Sequence, residues 1–132
     1  MGYRSDVVAI IYPESVMSEA DQKAAYAQLK TLMATQFKEL VDEWFGACMT
    51  WHDDAMVLKF SMQDVKWYPS YHDVQMFTEM MHEFAAHNED GIPGYCTEFM
   101  RVGEDEGDVE CQRAGNAPHY YLSVRTSIDC NI

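Results

Sequence analysis

The chain is short of positive charge: nine Lys and Arg stand against 22 Asp and Glu in 132 residues, a formal net charge of −13. A field of that sign repels nucleic acid and anionic membrane surfaces at long range, so direct binding to DNA or RNA is not expected. No apolar run approaches the roughly 18 residues that span a bilayer, so no membrane partner is expected, and no signal-peptide pattern opens the sequence as given. The four cysteines, Cys48, Cys96, Cys111 and Cys130, contain no C-x-x-C pair, which makes a reduced, cytoplasmic protein the simplest expectation. G-x-S-x-G, P-loop and dinucleotide fingerprints are also missing, and with them the commonest sequence signs of an enzyme.

What the chain has in quantity is apolar volume. Hydrophobic residues make up 48% of it, with three Trp, eight Tyr and six Phe. That suits a single domain over residues 1–132, able to bury roughly two thirds of the surface its unfolded form exposes. Most of the ten methionines fall on apolar stripes and read as core filler.

The run "DVVAIIY", Asp6 to Tyr12, is β-branched and stops at Pro13, as a well-buried strand does. Ser18 then caps a helix carrying Tyr26, Leu29, Met33, Phe37, Leu40 and Trp44 at helical spacing, which predicts one helix to about Phe45. Met49 and Trp51, a polar "HDD" turn, and the alternating Met56, Leu58, Phe60 and Met62 predict a hairpin with one core face and one wetter face. Ser70 with Asp73 marks a second helix whose stripe is Val74, Phe77, Met81 and Phe84, ending before "NEDGIPG". "YCTEFMRV" predicts a fourth strand and "HYYLSVRTSI" a fifth, with Tyr120, Leu122, Val124 and Ile128 on one face. Between them, residues 103–118 show no period and read as a long loop.

This order predicts an α+β fold: a ferredoxin-like antiparallel sheet, β-α-β-β-α-β plus one extra C-terminal strand, with two helices on one face. The expected sheet order is 4-1-3-2, with the last strand beside the fourth. Such a topology brings the start of the first strand, the junction before the second helix and the loop after the fourth strand to one end.

Those three places hold "GYRSDV", "KWYPSYHDVQ" and "RVGEDEGDVE". Together they resemble a family of small, uncharacterised proteins of tailed bacteriophages and prophages, over nearly the whole chain. The resemblance implies a phage setting, and hence action in the host cell cytoplasm, and specifies no chemistry.

The last of the three stretches carries Glu104, Asp105, Glu106, Asp108 and Glu110. Clustered carboxylates suit a hard cation, but the spacing fails the EF-hand pattern, and no metal or other cofactor is expected. A solvated face and a docking surface for a basic partner remain as readings. Trp67, Tyr68 and Tyr71 surround a proline at a helix entry, where aromatics serve as a hydrophobic staple or as interface anchors. Arg4 is expected to pair with one of the loop acids. His82 and His87 are five apart, not the four of a zinc-protease helix, and Cys48 with His52 lacks two further ligands.

The composition and the phage setting lead to a non-enzymatic accessory protein that binds and inhibits a host protein with a basic surface, in defence or nucleic-acid processing, by an acidic, nucleic-acid-mimicking surface. Its expected contact residues are Trp67, Tyr68, Tyr71 and the five acids. A small-ligand binder or minor enzyme on the sheet, and a self-associating structural component, are the alternatives. A deep pocket lined by Trp, Tyr and His would favour the ligand binder.

Overall fold

The computed structural model describes residues 2–86, 94–115, 120–124 and 128–132. Five antiparallel strands, β1 (Ser5–Pro13), β2 (Met49–His52), β3 (Val57–Val65), β4 (Tyr95–Gly103) and β5 (Val109–Ala114), lie in the order β2-β3-β1-β4-β5. The described helices are α1 (Glu19–Ala34), the short α2 (Lys38–Leu40) and α3 (His72–Ala86). The fold is α+β, and no described helix is long and apolar enough to cross a membrane.

The sheet is central because β1 is apolar on both faces. Val7, Ala9 and Ile11 face the helices and join Leu58, Phe60, Phe77, Met80 and Phe84 in the main core. Phe60 and Phe77 are fully buried and meet edge to face, ring centroids 5.0 Å apart. Val8, Ile10 and Tyr12 point the other way and form a second cluster with Val57, Cys96, Met100 and Leu122. The face expected to be wetter is therefore a second core. A two-stranded hairpin, β6 (Leu122–Val124) and β7 (Ile128–Cys130), packs on it.

Glu98 of β4 ties that hairpin down. It is buried, and its carboxylate accepts the Tyr12 hydroxyl at 2.7 Å, Leu122 N at 3.0 Å and Tyr121 N at 3.2 Å. A buried carboxylate is tolerated where donors surround it, and here two are backbone groups of the segment it holds.

Three local expectations are corrected. The long first helix breaks after Ala34: Thr35 N and Phe37 N both donate to Leu32 O, and Thr31 and Thr35 hydroxyls bond back to Ala27 O and Thr31 O. Hydroxyl back-bonding weakens a helix end, and the break lets Phe37 pack on Phe84. The chain then resumes as α2, a π-helical turn at Val41–Phe45 and a 3-10 turn at Gly46–Cys48. Second, α3 begins at His72, preceded by a turn in which Tyr71 N donates to Tyr68 O, and not under a Ser70 cap. Third, the strand beside β4 is Val109–Ala114, inside the stretch read as loop, while "HYYLSVRTSI" contributes β6 and the start of β7 on the opposite face. His119 and residues 125–127 of that segment, and His87, lie outside the described residues.

Candidate functional site

The acidic stretch is the turn of the β4–β5 hairpin. Gly107 has φ +80°, which a glycine adopts freely, and Gly103 N donates to Asp108 O at 2.9 Å to close the turn. The register sets Arg101 opposite Glu110, so the two side chains meet. Arg101 Nε donates to Glu110 Oε1 at 3.2 Å, while its terminal nitrogens grip Asp108 at 3.1 and 2.8 Å and reach Ser5 Oγ at 3.1 Å. This bidentate, partly buried pairing is the strong form of an ion pair. Arg101 and the Tyr3 hydroxyl hold the Asp108 carboxyl well down, to about 2.

Tyr3 joins the start of β1 to this turn. Its hydroxyl donates to Asp108 Oδ2 at 2.5 Å and accepts from Asp105 N at 2.9 Å, and its backbone N donates to the Tyr68 hydroxyl at 2.6 Å. The bond to Asp108 raises the Tyr3 phenol pKa. A Cβ on Gly103 would collide with both the Asp108 carboxylate and the Tyr3 hydroxyl, so only glycine lets them meet over β4. The first strand's start, the α3 entry and the acidic turn thus share one end, linked by hydrogen bonds.

The expected contact residues divide into three kinds. Glu104, Asp105 and Glu106 are exposed on the turn. Asp108 and Glu110 are engaged by Arg101 and hold the end together. Trp67 is half-buried, packed against Phe45, Phe77 and Phe99, and Tyr68 is half-buried beneath Tyr3 N. Of these three aromatics Tyr71 is the well-exposed one, at 41%, its ring edge to face with Tyr68. Arg4 is corrected: its guanidinium donates to Asp64 O at 3.0 Å and only its backbone N reaches Glu104 Oε1 at 3.1 Å. The cation that pairs with the loop acids Asp108 and Glu110 is Arg101.

Beside this network a cleft of about 560 Å³ opens between α3 and strands β4 and β5. Trp67, Phe77 and Phe99 supply apolar wall, and Tyr3, Gln75, Glu79, His82, Arg101, Asp108, Glu110 and Gln112 supply polar groups. The volume falls in the range of small-molecule sites. Reading the sequence singled out neither Tyr3, Arg101 nor Glu79. A signal for Arg101 was present, since a Gly-containing hairpin turn through "EDEGD" sets Glu110 across from it.

A second polar cluster centres on Asp53. Asp53 accepts from the Tyr26 hydroxyl and Lys30 Nζ, both at 2.8 Å, and Lys30 holds its carboxyl below the usual range. Among the described residues no group of three or more His, Cys, Asp or Glu is arranged to hold a metal ion. No protein-family model, curated protein or solved structure matches the chain.

Proposed function

We propose that the chain is a non-enzymatic binding protein that docks on a basic surface of another protein through the end built by Tyr3, the α3 entry and the acidic turn. The observation that carries this reading is the pre-set turn. Glu104, Asp105 and Glu106 project from a hairpin fixed by the Arg101–Asp108–Tyr3 network, so the backbone that carries three exposed charges is set before any partner arrives. Pre-organisation lowers the entropy lost on binding, and a fixed negative patch speeds encounter with a positive one.

The resemblance to phage proteins makes a host protein of defence or nucleic-acid processing, met in the host cytoplasm, the proposed target, which the chain inhibits by standing where a phosphate backbone would. The strand order β4-β1-β3-β2 fits a ferredoxin-like core, extended by β5 and by the hairpin on the far face.

Affinity capture from nucleic-acid-depleted host extract tests the proposal. The wild-type chain should retain a partner that duplex DNA competes off, and a Glu104→Gln, Asp105→Asn, Glu106→Gln variant should release it at much lower salt. Equal retention by the two chains refutes it. The second reading, a small-ligand binder, is favoured by the cleft, which carries the Trp, Tyr and His lining that such a site calls for.

A further inference from the structure

We infer that the cleft is a socket for one arginine side chain presented by the basic partner, an inference that rests on the docking reading for the source of that arginine. The cleft is lined by three carboxylates, Glu79, Asp108 and Glu110, against one guanidinium, Arg101, and one imidazole, His82. It is therefore net negative in either protonation state of His82, on a chain of formal charge −13. Anionic ligands are disfavoured there and cationic ones favoured.

The negative charge is available to a ligand. Among the described residues exposed Glu79 has no hydrogen-bond or ion-pair partner. Glu110 accepts one bond at each oxygen, from Arg101 Nε and from Gln112 Nε2, and a carboxylate has about four acceptor positions. Asp108 is taken up by Arg101 and the Tyr3 hydroxyl, which leaves Glu79 and Glu110 to meet a ligand. The apolar wall selects within the cations. Half-buried Trp67, backed by the buried Phe77 and Phe99, gives an aromatic surface on which a guanidinium stacks at lower dehydration cost than an ammonium, while its fork matches a carboxylate. The same chain shows the carboxylate half of that chemistry next door, where Asp108 and Glu110 clasp Arg101.

The test titrates the full chain with N-acetylarginine methylamide, its lysine counterpart and its uncharged citrulline counterpart, following the Trp67 indole N–H by NMR. The arginine compound should give a saturable shift and bind at least about tenfold more tightly than the citrulline compound, as a paired cation over an aromatic wall requires. The lysine compound should bind more weakly than the arginine one. Glu79→Gln should weaken arginine binding about threefold to tenfold with an unchanged melting temperature, because that side chain supports nothing in the fold. Equal binding of citrulline, equal binding of lysine, or no saturable shift at Trp67 overturns the socket. If capture by the acidic turn persists while Trp67 does not respond, the socket alone falls and the docking proposal stands.

Discussion

The Tyr3 hydroxyl donates to Asp108 Oδ2 at 2.5 Å across 105 residues of sequence. That bond joins the first strand to the acidic turn, and Arg101 completes the clasp from the other side of the same carboxylate. Like charges packed into one turn repel, and a cation at its base with a hydroxyl at its rim offsets the repulsion.

The clasp predicts an acid dependence of stability. The folded-state pKa of Asp108 lies at about 2, below the ordinary 3.8. A depressed carboxyl contributes stability above its unfolded pKa and loses it as pH falls through the folded value. The stability gap between wild type and Asp108→Asn, measured by urea unfolding, should be constant near neutral pH and shrink between about pH 4 and pH 2. A gap that stays level through that window contradicts the assignment.

Much of the fold was legible because β1 and the apolar stripes repeat with clear periods. Phe60 and Phe77 were readable as core, and both are fully buried. The β4–β5 hairpin was not, because β5 is an edge strand whose residues, Val109 to Ala114, are mostly exposed and carry no alternation to read. The second core was half legible: "VVAIIY" is apolar at every position, which already requires cover on both faces. The cleft was illegible, since Glu79 and Arg101 are brought to it only by tertiary packing.

Phe60→Ala and Phe77→Ala should each destabilise by about 3–5 kcal/mol, the cost of emptying a buried aromatic site. Their ring contact makes the two non-additive, so the double variant should lose less than the sum. Chemical denaturation of the four chains gives both numbers.

Glu98→Ala should destabilise by about 2–4 kcal/mol, because it removes the acceptor shared by the buried Leu122 amide, the Tyr12 hydroxyl and the half-buried Tyr121 amide. Hydrogen exchange should show the loss first at the Leu122 amide, with the α3 amides protected as before. A uniform loss across the chain would separate Glu98 from the hairpin.

None of the four cysteines is in a disulfide, and they differ in access. Cys111 is exposed and should react with a disulfide reagent within the native state. Cys48 and Cys130, half-buried with thiol pKa values raised by burial, should follow slowly. Cys96 is buried and its thiol is pushed up to about 12, so it should react only on unfolding. Reductant should leave the melting temperature unchanged.

Trp67 cannot serve as a simple binding probe by truncation, since it packs on Phe45, Phe77 and Phe99 and its removal disturbs the core edge. The exposed acids can, because Asp105 and Glu106 are surface side chains of the turn and Glu104→Gln keeps the oxygen that accepts from Arg4 N. The most direct measurement is stopped-flow association of the captured partner with wild type and with the Glu104→Gln, Asp105→Asn, Glu106→Gln variant over a range of salt. Steering by the turn predicts that the variant associates more slowly at low salt, with a flatter salt dependence and a nearly unchanged dissociation rate. Identical association rates and salt slopes for the two chains would contradict docking through the acidic end.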